Sequence, residues 1–71
     1  SRLREYVEVR QLSWLIFREN TDYSLNDIAR IFKRNHATIL YGVRQAQALI
    51  ATNRHVREDY NNLKQKFIEL L

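Results

Sequence analysis

Ser24-Leu25-Asn26-Asp27-Ile28-Ala29-Arg30-Ile31-Phe32-Lys33-Arg34-Asn35-His36-Ala37-Thr38-Ile39 decides the fold, because it holds two helix starts separated by a tight turn. Ser24 stands three residues before Asp27, so its hydroxyl can accept from the Asp27 backbone N–H while the Asp27 carboxylate reaches back to the Ser24 N–H. Tyr23, just before this cap, is in position to pack on Ile28 as a hydrophobic staple, and the cap itself contributes about 1 kcal/mol. Leu25, Ile28, Ala29 and Phe32 then follow the i, i+3, i+4, i+7 spacing of a short amphipathic helix. Lys33-Arg34-Asn35 leaves room only for a tight turn. Asn35 is a good N-cap for a third helix over residues 36–52, whose inward face is Ile39, Val43, Ala46 and Ile50. At 100° per residue the outward face is Ala37, Thr38, Tyr41, Arg44, Gln45 and Ala48, polar and cationic without an acid.

Working outward, Val9, Leu12, Leu15 and Ile16 recur at helical spacing in a first helix over residues 3–20, with Trp14 and Phe17 widening the stripe. After Thr52-Asn53, Val56, Tyr60, Leu63, Phe67 and Leu70 alternate steps of four and three, which predicts a fourth helix that packs on the others. With one glycine and no proline, the 71 residues have almost no punctuation for hairpins or Gly-rich phosphate loops. The expected architecture is all-α, one small domain over residues 1–71 with about four helices and a helix-turn-helix. Gly42, inside the third helix, costs about 1 kcal/mol relative to alanine and is best explained by close approach of another helix.

The net charge of +4 is unevenly distributed. Residues 28–57 carry Arg30, Lys33, Arg34, Arg44, Arg54 and Arg57 and no acid, whereas both flanks are slightly acidic. A hydrophobic content of 45% separates the chain from a disordered basic tail. With no cysteine and only His36 and His55, neither a disulfide framework nor a Cys/His zinc site can be built, and no metal site is expected. No apolar run suffices for a membrane span, and Arg2, Arg4, Glu5 and Glu8 stand where a signal peptide would be apolar. A soluble, intracellular domain that does not engage membranes is expected.

A capped short helix, a turn and a longer helix with a basic outer face is the layout of a helix-turn-helix, whose second helix enters the DNA major groove. In that role His36 and Thr38 hydrogen-bond base edges, Ala37 packs on a thymine methyl, and Lys33 and Arg34 lie where phosphates run. Each of these residues also has a purely structural role open to it. Arg10 reads as a solvated arginine paired with an acid one turn away, His36 as an exposed first-turn residue, and Thr38 as a side chain back-bonded to the helix. Asn35 is divided between capping and base contact. Tyr41 is read as solvated, and Arg44 as a phosphate neighbour.

Three stretches read together sharpen this: Val9-Arg10-Gln11-Leu12, Ser24-Leu25-x-x-Ile28, and Arg34-Asn35-His36-Ala37-Thr38-Ile39-Leu40. In order and spacing they resemble the DNA-binding C-terminal domain, domain IV, of the DnaA family of bacterial replication initiators, along nearly the whole chain. The resemblance implies a Trp repressor-like helix-turn-helix that binds double-stranded DNA at a replication origin from the cytoplasm, associated with the nucleoid. It implies that Arg10 reaches the minor groove, that Asn35, His36, Ala37 and Thr38 meet base edges, and that Arg18 lies near phosphates. Asn26, at the start of the second helix, joins Lys33, Arg34 and Arg44 as a phosphate contact. The sequence departs from the family where Asn35 replaces the usual Asp, Ala37 the usual Thr or Ser, and Lys33-Arg34 a turn that often carries glycine. Asp only accepts hydrogen bonds, as from cytosine N4, whereas Asn both donates and accepts and so suits adenine, which predicts a related but not identical site.

No Walker-type loop is present, so no cofactor is expected in this chain, ATP belonging only to an ATPase region outside it. The chain is thus read as the DNA-binding piece of an initiator or as a stand-alone protein on the same domain. Two other functions compete: a helix-turn-helix transcription regulator without a replication role, and a basic helical module that meets an acidic protein. Neither enzymatic activity nor a small-molecule substrate is expected, since Glu19, Asp22 and Asp27 have no histidine or metal constellation beside them. With no heptads or large unassigned apolar face, a monomer on an asymmetric site is expected.

Overall fold

The computed structural model describes residues 2–71 and contains four helices: α1 (Arg2–Asn20), α2 (Leu25–Phe32), α3 (His36–Thr52) and α4 (Arg54–Leu70). Side chains, not glycines, write each break between them. At the end of α1, the Asn20 amide donates to Ile16 O (2.8 Å) and the Thr21 hydroxyl to Phe17 O, satisfying carbonyls that the helix leaves open. Between α3 and α4 a single residue does both jobs. The Asn53 N–H donates to Leu49 O (2.8 Å), closing α3, and its Oδ1 accepts from the Val56 N–H (3.1 Å), opening α4.

The helices share one core of Leu12, Trp14, Leu15, Ile28, Ala29, Ile39, Val43, Ala46 and Val56. Ile28 and Ile39, from the two arms of the helix-turn-helix, are fully buried. Burying a side chain of this size contributes about 1.5–3 kcal/mol, so these two fix the angle between α2 and α3. An aromatic cluster closes the side of the core: Phe17 meets Phe32 edge-on at 5.6 Å and Phe67 at 5.2 Å, and Trp14 meets Phe32 edge-on at 6.2 Å. At Gly42 the close approach is to α1. A Cβ there would come within 3.0 Å of Cε3 and Cζ3 of Trp14 and lie 3.3 Å from Cγ of Gln11.

Several expectations are corrected. Val9 is 46% exposed, outside the core that its spacing suggested, and Leu70, last in the α4 stripe, is 86% exposed. Leu70 is the last residue of α4, beyond the turns that the other helices cover, whereas Val9 is in the middle of α1, on an open cleft between α1 and α4 that Leu12 and Leu63 also line. Tyr23 stacks on Phe17 of α1 at 6.2 Å and remains 45% exposed. Tyr60 additionally ties α4 to α1 by donating its hydroxyl proton to Glu19.

Candidate nucleic-acid interface

The interface is built on the two caps. Ser24 is extended (φ −75°, ψ 167°); its Oγ accepts from the Asp27 N–H at 3.1 Å, and the Asp27 carboxylate accepts from the Ser24 N–H at 2.9 Å. The backbone N–H of Ser24, then its hydroxyl, and more weakly the nearby Arg30, hold the Asp27 carboxyl below its ordinary range. Asn26 is exposed in the first turn of this helix. At the other end Lys33 takes the left-handed conformation (φ 56°, ψ 47°), and the Arg34 N–H returns to Ala29 O at 2.9 Å. This is the helix stop that glycine usually supplies, made here by lysine at a cost of about 1–2 kcal/mol. The Arg34 guanidinium lies over the turn, 3.3 Å from Phe32 O.

Asn35 is again extended (φ −80°, ψ 162°), and its Oδ1 accepts from the Thr38 N–H at 2.7 Å. Capping is therefore the role its oxygen fills, and two-ended pairing with adenine competes with it. His36, Ala37 and Thr38 are all exposed on the first turn of α3. The Thr38 hydroxyl does not bond back into the helix, whereas the hydroxyls of Ser13 and Thr52 do, to Val9 O and Ala48 O. Among the described residues no group of three or more His, Cys, Asp or Glu could hold a metal ion.

The turn brings Lys33, Arg34, Asn35, His36, Ala37 and Thr38 together at one corner, and Arg44 stands exposed farther along α3. Asn26 lies at the far end of α2, about 12 Å of helix away, and Arg18 is exposed near the end of α1. Arg10 does not pair with a carboxylate among the described residues. Its guanidinium carbon lies 6.0 Å from the Trp14 ring centre, and its Nε–H is buried without a hydrogen-bond partner. A buried donor of this kind is costly until an acceptor reaches it.

Ion pairing narrows the positive field more than the linear charge count indicates. Arg30 pairs with Asp27 at 3.0 Å and Arg54 with Glu58 at 3.8 Å, while Arg57 directs its Nε–H to Ile50 O at 3.0 Å. Of the six cations in residues 28–57, Lys33, Arg34 and Arg44 remain with neither a carboxylate partner nor a distant backbone tie. They flank the recognition turn and its helix. One feature of this face was missed in the sequence: Gln45 donates to the Tyr41 hydroxyl at 2.6 Å, fixing a ring that is 60% exposed. Their i, i+4 spacing was the signal that could have found it.

Two capped arms, a left-handed turn and an exposed, acid-free second arm define a helix-turn-helix domain. The chain belongs to the family described as the bacterial dnaA protein helix-turn-helix, whose model matches residues 1–46. It is similar to the chromosomal replication initiator protein DnaA of Buchnera aphidicola subsp. Baizongia pistaciae (strain Bp), with 38% identity over 71 residues, 99% of this chain. The chain spans 14% of that relative's length. No solved structure matches it. Among the described residues no helix is long and apolar enough to cross a membrane.

Proposed function

We propose that this helix-turn-helix binds double-stranded DNA sequence-specifically, as a box-recognising element at a replication origin. The carrying observation is the exposed corner where Lys33 and Arg34 adjoin the first turn of α3, with Arg44 exposed farther along the same helix and none of the three facing a carboxylate. In this reading α3 lies in the major groove with Asn35, His36, Ala37 and Thr38 at base edges, while Lys33, Arg34, Arg44, Arg18 and Asn26 hold phosphates. Arg10 enters the minor groove, where acceptors on the base edges satisfy the Nε–H that the protein leaves unpaired. Similarity to the chromosomal replication initiator protein DnaA of Buchnera aphidicola supports the replication role.

Fluorescence anisotropy at two salt concentrations, comparing a duplex that contains a DnaA-type box with its scrambled counterpart, tests the proposal. Preference for the box at both salts is the expected result. Equal, salt-sensitive binding of the two duplexes would reduce the site to a nonspecific basic face.

A further inference from the structure

The α3 cap fixes which end of the Asn35 amide is left to meet a ligand. Its Oδ1 accepts from the Thr38 N–H at 2.7 Å, and because only the oxygen of an amide can accept, that bond orients the group. The two Nδ2 hydrogens bond nothing among the described residues, and Asn35 is exposed. A similar sorting occurs farther along the face. The Tyr41 oxygen accepts from Gln45, which leaves its own proton to donate outward. Lys33, Arg34 and Arg44 are donors by nature. The corner of the recognition helix is thus weighted toward donors, and Asn35 is its most directly fixed uncharged member.

We propose that Asn35 reads DNA as a donor only, giving an Nδ2 hydrogen to a major-groove acceptor such as guanine O6 or N7, adenine N7 or thymine O4. The base it faces is then anything but cytosine, whose major-groove edge offers the N4 donor alone. Two-ended pairing with adenine, the preference that residue type alone suggests, needs both ends of the amide on one base edge. For it, the same Oδ1 would have to take a base amino proton on its second lone pair while still holding the Thr38 N–H at 2.7 Å, whereas Nδ2 is committed to nothing. The inference rests on the DNA-binding reading above.

The test is selection from a duplex pool with a randomised core, performed with the 71-residue chain and with Asn35→Asp. Asp caps a helix as well as Asn but carries no donor, and a thermal melt of each protein verifies that the fold is kept. The wild type is expected to deplete cytosine about fivefold or more at one position of one strand, and Asn35→Asp to enrich cytosine at that same position. Asn35→Ser, which keeps the cap on a shorter side chain, is expected to flatten that position and no other. If the wild type selects a site and Asn35→Asp selects an identical one, or if the wild type prefers cytosine where the two profiles differ, the donor-only assignment is overturned and the DNA-binding reading stands. If the wild type selects no sequence, both are overturned.

Discussion

Replacing Gly42 with alanine pits a local preference against a tertiary contact, and the structure states which should win. Alanine gains about 1 kcal/mol over glycine in a helix interior. Against this, the new methyl would come within 3.0 Å of two ring carbons of Trp14, a side chain only 2% exposed and braced edge-on by Phe32 at 6.2 Å. Neither the ring nor the α3 backbone is a flexible end that can swing aside, so the overpacking cost belongs near the top of the usual range of about 1–3 kcal/mol. The expected net loss is about 1–2 kcal/mol, which lowers the Tm of a domain this size by about 4–8 °C per kcal/mol. Thermal unfolding followed by far-UV circular dichroism reads it directly. On a Trp14→Leu background, itself destabilised, the same Gly42→Ala change should cost less or become stabilising, because the ring it strikes is gone. A Gly42→Ala protein that melts above the wild type would refute the idea that α1 and α3 meet backbone to ring at this point.

Lys33→Gly should separate stability from binding: relief of the left-handed conformation raises stability, and with it Tm, by about 0.5–1 kcal/mol of free energy after the entropy of glycine is deducted, while loss of the cation weakens binding to every duplex. Single replacement of Lys33 or Arg34 should lower the salt slope of DNA binding by about one unit, whereas His36→Ala should cost about 1–3 kcal/mol on the preferred site and flatten discrimination; indistinguishable effects in salt titrations would contradict this division of roles. Asn53→Ala removes the side-chain cap of α4 and should cost about 1 kcal/mol in a thermal melt, with most of it recovered in Asn53→Asp. Burial, reinforced by the bond to Glu19 and by its charge, pushes the Tyr60 hydroxyl up to about 12. Since the folded value lies above the ordinary value of 10.0, the stabilisation is intact below pH 10 and fades as the pH rises through 12. Tyr60→Phe should remove that part of the alkaline loss in a pH series of melts. Asp27 has the opposite sign, its folded value being lowered, so its contribution is present above the ordinary carboxylate range and is lost as acid protonates it, a dependence absent from Asp27→Asn.

The elements that the sequence made legible are those whose cause is local. Ser24 with Asp27 and Asn35 with Thr38 are three residues apart, and the helices they start have the predicted register because cap and periodicity agree. Gly42 was legible because a glycine in mid-helix needs a reason from outside the helix. What the pattern hid depends on where helices end against one another. Leu70 fits its stripe but runs past the partner that would cover it, Val9 falls on an open cleft between α1 and α4, and Tyr23 found an aromatic on α1 that no spacing within its own segment reveals. For the candidate site, exposure of Ala37 and Thr38 followed from periodicity, whereas His36 shares the spacing of the inward stripe of Ile39 and Val43 and stands exposed as the first residue of α3. The ion pairs that withdraw Arg30 and Arg54 from the positive field, and the seat of Arg10 against Trp14, required coordinates.

Trp14 is the only tryptophan in the chain, and it sits where three demands converge: α3 at Gly42, the aromatic cluster at Phe32, and the guanidinium of Arg10. The domain therefore carries its own optical reporter. An arginine that leaves the indole for a groove changes the charge beside the chromophore, so indole emission provides a label-free signal at the one residue whose departure separates minor-groove insertion from docking of α3 alone.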